Sequence, residues 1–123
     1  MKRAALLLLL LLLTFACDRE NKYANRQQTG GGDAKRGAEL IAQYGCTACH
    51  NVPGVKGPRG MVGPPLDHMA SRQYIAGKFP NTPQTMSQWV QNPQSLDPQN
   101  AMPNVGVTPQ DARDIAAYLN GLQ

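Results

Sequence analysis

The sequence predicts an all-α domain whose helices are joined by long loops. Capped helical patterns stand near both ends of the chain, with a third between them, and no stretch shows the polar–apolar alternation of a half-buried strand. The connecting chain is dense in Gly and Pro; Val52 to Pro65 alone holds four of each.

Asp33 is a good N-cap for a first helix from Ala34 to Tyr44, with Gly45 at its stop. Gly37, Ala38, Ile41 and Tyr44 fall at helical spacing and form its inward face. A mid-helix Gly37 costs about 1 kcal/mol against Ala, so it needs a packing reason. Close crossing with the last helix is the natural one. A second helix is predicted from Pro83 to Gln91, capped by Thr82, with Met86, Trp89 and Val90 facing inward. The last begins after Thr108 as cap, with Pro109 at its first position and Asp111 in its first turn. Ile115, Tyr118, Leu119 and Leu122 then follow the i, i+3, i+4, i+7 rule.

Ahead of this domain the sequence changes character. Lys2 and Arg3 precede a Leu-dominated run from Ala4 to Ala16, too short for a comfortable span and shaped like a secretory signal. Asp18 to Gly32 is polar throughout and ends in three glycines, the composition of a flexible linker. The expected organisation is therefore a signal over 1–16, Cys17 with a linker over 17–32, and one folded domain over 33–123. A domain of 91 residues has only a marginal polypeptide core. Loss of Lys2 and Arg3 would leave ten basic residues against eight acidic ones, a net charge of +2. The basic residues are scattered and the aromatics few, which excludes a nucleic-acid site.

Cys46-Thr47-Ala48-Cys49-His50 carries the chemistry. C-x-x-C-H is the pattern of covalent haem attachment: two thiols add across the two vinyl groups of one haem, and the next residue ligates the iron. A thioredoxin-like redox pair would need a βαβ context that this region lacks. A structural zinc site would want four closed ligands, and only Cys17 and His68 remain to complete one. A chance match is the other alternative, and the surrounding chain argues against it. A haem also supplies an apolar body around which so small a chain can collapse.

Export and haem attachment support each other, because haem c is joined on the far side of the bacterial inner membrane. Thr14-Phe15-Ala16-Cys17 resembles a bacterial lipobox, although Leu is usual where Thr14 stands. That resemblance implies cleavage before Cys17, lipidation of Cys17, and, with Asp18 following, retention on the periplasmic side of the inner membrane.

The helix with a mid-glycine, the C-x-x-C-H run, MVGPPL, AMPNVGVT and a closing aromatic helix together resemble a class I c-type cytochrome over residues 33–123. YIAGKFPNTP and WVQNPQ narrow the likeness to small membrane-associated bacterial cytochromes c of aerobic respiratory chains, including domains fused to oxidase subunits. The resemblance implies that the N- and C-terminal helices cross, with Gly/Pro-rich loops around one haem. It makes His50 the proximal ligand and Met102, followed by Pro103, the distal one. Met61, Met69, Met86 and His68 are the rivals for that role: Met86 reads as core, Met61 and Met69 flank the G-P-P-L segment, and His68 reads as a solvated loop histidine. By the same carry-over Pro64 accepts the other N–H of His50, Tyr74 and Trp89 are candidates to hydrogen-bond propionates, and Arg59 and Arg72 to neutralise them.

The function so implied is single-electron transfer without catalysis or a small-molecule substrate. The expected partners are redox proteins (an oxidase, a reductase or a dehydrogenase), met as a monomer or as a subunit of a respiratory complex. Docking is expected near Thr47, Ala48 and the Met102 loop. A haem subunit of a periplasmic dehydrogenase is the alternative, and a gas-binding or peroxidase-like protein with an open sixth site ranks last.

Overall fold

The computed structural model describes residues 29–123. The signal segment, Cys17 and most of the linker lie outside the described residues. The elements in chain order are α1 (Ala34–Gln43), a 3-10 turn (Cys46–Ala48), a second 3-10 turn (Met69–Ser71), β1 (Tyr74–Ile75), β2 (Phe79–Pro80), α2 (Pro83–Gln91), α3 (Pro93–Leu96) and α4 (Pro109–Leu119). The fold is helical, with one minimal antiparallel ladder among the described residues.

The three expected helices form where their caps place them. Asp33 accepts from the amides of Lys35 and Arg36, Thr82 from that of Thr85, and Thr108 from that of Asp111. Each satisfies donors the helix leaves open at its start. α1 ends as Gly45 takes a left-handed conformation, φ 71°, which only Gly adopts without cost. That turn feeds directly into the cysteine motif.

α1 crosses α4 at Gly37. A Cβ there would overlap the carbonyl oxygen of Asp114 and stand 2.6 Å from its carbon, so the two backbones touch. Forcing a methyl group into such a contact costs about 1–3 kcal/mol. The expected reason for the mid-helix glycine is thus met. Around this contact Leu40, Ile41, Ala112, Ile115, Ala116 and Leu119 form the core, joined by Met86 and Val90 of α2. Leu40 belongs to the inward face of α1, which the sequence reading had drawn without it, and Ala38 sits half-buried at its margin.

Two acidic residues are buried beside the crossing, where periodicity had marked only apolar positions. Asp114 is 2% exposed and accepts from the Asp33 amide at 2.8 Å, Gln110 Nε2 at 3.0 Å and the Arg36 guanidinium. Asp111 accepts from Tyr44 Oη at 2.7 Å and Arg36 Nη2 at 2.5 Å. A buried carboxylate is tolerable only when paired and hydrogen-bonded, and both are.

Two features depart from the expected layout. β1 and β2 pair Tyr74 with Pro80 and Ile75 with Phe79 around a turn at Ala76 and Gly77. A ladder of two residues per strand is too short to show alternation. The glycines at the end of the expected linker also belong to the packed domain: a Cβ on Gly30 would stand 2.8 Å from Pro83 Cβ, and one on Gly32 would overlap the backbone of Arg113. Packing against α2 and α4 therefore starts before Asp33.

The Tyr44 hydroxyl holds Asp111 below the ordinary carboxylate value of 3.8, helped by Arg36 and Thr108 and opposed by burial. A depressed folded pKa contributes stability that is complete above 3.8 and is lost as the pH falls through the folded value. Asp111→Asn should lower the unfolding midpoint at neutral pH and flatten its decline in acid. Thermal unfolding followed from pH 7 downward checks this; parallel curves for the two proteins would contradict it.

Candidate haem-binding site

The motif is held by backbone bonds within itself and from the loop that follows. The amides of Cys49 and His50 both donate to Cys46 O, at 3.2 and 3.0 Å, closing a single tight turn. Cys46 and Cys49 are free thiols on that turn and half-buried. Burial pushes the Cys46 thiol upward, so it stays protonated at neutral pH. Among the described residues no three His, Cys, Asp or Glu side chains gather as a metal cluster; Cys17, on which the zinc alternative drew, lies outside them.

Residues 51–66 wrap the motif. Gly60 N–H donates to Thr47 O at 3.0 Å, Gly63 N–H to Cys49 O at 2.8 Å, and Leu66 N–H to Asn51 O at 2.9 Å. The wrapping is close enough that side chains are barred: a Cβ on Gly63 would overlap the His50 ring, and one on Gly60 the Ala48 carbonyl. Thr47 is buried beneath Gly57, 4% exposed, so the expected docking edge cannot include its side chain; Ala48 remains exposed. Tyr118 of α4 donates to Pro53 O at 2.6 Å and ties this loop to the helical core.

His50 is oriented by its ring nitrogen Nδ1, which lies 2.7 Å from Pro64 O. Donation there fixes Nε2 as the free, lone-pair-bearing nitrogen, the arrangement a metal-binding histidine requires. Pro64 is in turn steadied from behind. Arg72 donates to Pro65 O at 2.8 Å, to Asp67 O at 2.9 Å and to the Asp67 carboxylate at 3.2 Å. One nitrogen of the guanidinium, Nη2, thus serves the loop that carries the histidine's acceptor.

Met102 lies half-buried in the loop between α3 and α4. Its N–H donates to Asn100 Oδ1 at 2.9 Å and its carbonyl accepts from Gln94 Nε2 at 2.6 Å. Asn100 Nδ2 donates to Asp97 O at 2.5 Å, and Lys78 Nζ donates to Asp97 Oδ2 at 2.6 Å. Lys78 holds the Asp97 carboxyl below its usual range. The methionine's backbone is pinned on both sides, and its thioether is left uncommitted.

The rivals fare differently. Met69 and Met86 are core residues, 4% and 1% exposed, and Met61 stands in solvent at 91%. His68 is exposed and caps a 3-10 turn with φ 51°. Tyr74 is 56% exposed on β1, and Trp89 is half-buried with its ring 6.0 Å from that of Phe79. Arg59 is exposed and forms no ion pair among the described residues.

Two free thiols on one turn, a histidine with one nitrogen engaged, and an unengaged thioether form a donor set that fits haem c. The family description of cytochrome c matches residues 34–123. The chain belongs to the cytochrome c family. As a cytochrome c it is a haem-based electron carrier, mostly helical, with its motif at the end of the first helix. It is 30% identical over 91 residues to the cytochrome c oxidase subunit 2 of Alkalihalophilus pseudofirmus, a match covering 73% of this chain and 26% of that protein. The chain thus spans about a quarter of the length of that relative.

The glycines that hug the motif, and Gln94, Asp97, Asn100 and Lys78 around Met102, went unread in the sequence. A legible signal existed for the first group: Gly54, Gly57, Gly60 and Gly63 recur every third residue. In the second group only the Lys78–Asp97 bond is long-range, 19 residues apart; Asn100 stands two residues before Met102, so that turn was legible locally. Asn100→Ala removes the acceptor of the Met102 amide, worth about 0.5–1.5 kcal/mol. Hydrogen exchange at Met102 in the haem-loaded protein should speed up by up to about tenfold, with the α4 amides unchanged. An unaltered Met102 rate would mean that the loop is held by something else.

Proposed function

We propose that this cytochrome c carries one haem, which Cys46 and Cys49 would hold through thioethers and whose iron His50 and Met102 would ligate. We place it on the periplasmic face of a bacterial inner membrane, anchored by lipid on Cys17, where it passes single electrons to or from a respiratory oxidase or reductase. The observation that carries the ligand assignment is the Nδ1 contact between His50 and Pro64 O, which leaves Nε2 free to bind.

The haem supplies a one-electron ferrous/ferric couple. Cys46 and Cys49 would hold the haem by addition of their S–H groups across its two vinyl groups, which would need no oxidant. Pro64 O holds the His50 ring in one tautomer and orientation, and Arg72 keeps that carbonyl in place through Pro65 and Asp67. Gln94 and Asn100 fix the backbone of Met102, so that its thioether can be presented in one position. His50 and Met102 would both hold the iron, which would leave it to electron transfer rather than to substrate binding. The likeness to an oxidase subunit 2 supports a respiratory oxidase as the partner. The signal-like run and Cys17 support the membrane location.

Met102→Ala should keep its covalent haem but turn the ferric spectrum from low to high spin, with loss of the far-red sulfur-to-iron band. It should also gain a response to carbon monoxide when reduced. A ferric spectrum identical to that of the parent would sink Met102 as ligand. An intact mass of the purified protein tests the remaining assignments. It should equal the polypeptide from Cys17 onward plus one haem and a diacylglyceryl group; a chain cut elsewhere and bearing haem alone would remove the lipid anchor.

A further inference from the structure

The carbonyl that engages His50 stands at the end of a chain of hydrogen bonds running back to α2. Arg72 Nη2 reaches Pro65 O and Asp67, next to Pro64. Arg72 itself closes the 3-10 turn Met69–Ser71, and that turn is gripped by one residue, Asn81. Asn81 Nδ2 donates to Met69 O and to Arg72 O, both at 2.8 Å, and its backbone N–H donates to Gln73 O at 2.9 Å. Both side-chain contacts are carbonyl oxygens, so the amide NH₂ must face them and the carboxamide has one orientation. The next residue, Thr82, caps α2, which roots the grip in a helix.

The turn needs an outside hold. His68, which precedes it, takes φ 51°, a left-handed conformation that a residue with a Cβ keeps only when its surroundings impose it. The Ala70 N–H donates to Leu122 O at 2.9 Å, and Asn81 supplies the rest of the hold. Stability alone does not account for an asparagine here. Its Oδ1 is buried and has no hydrogen-bond partner. An open buried acceptor offsets about what one or two neutral hydrogen bonds contribute. What Asn81 supplies is therefore geometry.

We propose that Asn81 is a positioning residue for the histidine that would bind the iron. By clasping the Met69 and Arg72 carbonyls it aims the Arg72 guanidinium at the 65–67 segment, and so sets how firmly Pro64 O accepts from His50. The inference rests on the reading of His50 as axial ligand and deepens it by naming what tunes the reduction potential of that site. Firm acceptance at Nδ1 strengthens Nε2 as a donor to metal and favours the ferric state. Loosening the clasp should therefore raise the potential. Asn81 is neutral, so such a shift cannot come from a removed charge.

The test compares the haem-loaded parent with Asn81→Ala, Asn81→Ser, Arg72→Lys and the double variant Asn81→Ala/Arg72→Lys. Each is equilibrated with a redox dye at one fixed poise. The reduced-to-oxidised ratio should rise about two- to tenfold in Asn81→Ala, the range that one weakened hydrogen bond allows. In the ferrous protein the His50 Nδ1–H should exchange with heavy water faster by a similar factor, and by more than the α4 amides do. Asn81→Ser, with one hydroxyl for two carbonyls, should fall between Asn81→Ala and the parent. Arg72→Lys keeps the charge but loses the fork of donors, and should shift the ratio the same way. The double variant should move no further than the larger single one, because both residues act along one path.

An unaltered ratio and ring exchange in Asn81→Ala, with a low-spin His/Met spectrum in the parent, would overturn the relay and leave the ligand reading intact. Faster exchange throughout α4 at an unchanged ratio would also overturn it, by making Asn81 a support of the fold alone. So would failure of both Asn81 variants to fold around haem, or additive shifts in the double variant, which would mean separate routes. A parent without a low-spin ferric spectrum would overturn the ligand reading and the relay together.

Discussion

The contact of Gly37 with the Asp114 carbonyl sets the rest of this structure. Two helix backbones can touch only where a side chain is missing, and that touch fixes the relative height and angle of α1 and α4. The C-terminal end of α1 then determines where Gly45 turns and where the cysteine motif begins. α4 determines where Tyr118 reaches Pro53 and so how the following loop is held. The Arg36 guanidinium, shared between Asp111 and Asp114, closes the same crossing from its polar side. A helix pair thus positions a site that lies almost wholly in loops.

Much of this was legible in the sequence, and the part that was follows a physical rule. Caps and stops are local: Asp33, Thr82, Thr108 and Gly45 act within a few residues of themselves, so their patterns can be read in one dimension. The motif is local too, since its two thiols and its imidazole share one turn. The membership of 34–123 in the cytochrome c family agrees with both. Gly37 could be read because a helix-breaking residue inside a good helix calls for a partner.

What could not be read is long-range or depends on burial. Asp114 looks like a solvent residue in any periodic scheme, yet its carboxylate meets Asp33 N–H, 81 residues away in sequence. Arg72 also ties the 65–67 segment together, its Nη2 donating to three acceptors there, a role that no local pattern marks. Thr47 looked like surface until the loop from Gly57 to Gly63 was laid over it. The ladder at Tyr74–Ile75 and Phe79–Pro80 is too short for any alternation to register, although the turn between its strands carries Lys78, whose bond to Asp97 steadies the loop that leads to Met102.

The glycines at every third position divide the covering loop into two sides with different freedom. Toward the motif, a methyl group would collide with the Thr47 side chain at Gly57, with the Ala48 backbone at Gly60 and with the His50 ring at Gly63, so these positions admit little but hydrogen. Toward solvent, Met61 and Val62 touch almost nothing of their own chain and can be exchanged without disturbing the fold. Affinity for another molecule can therefore drift at the outer positions while the inner ones keep the histidine in place. The two traits are mechanically uncoupled within seven residues of one loop.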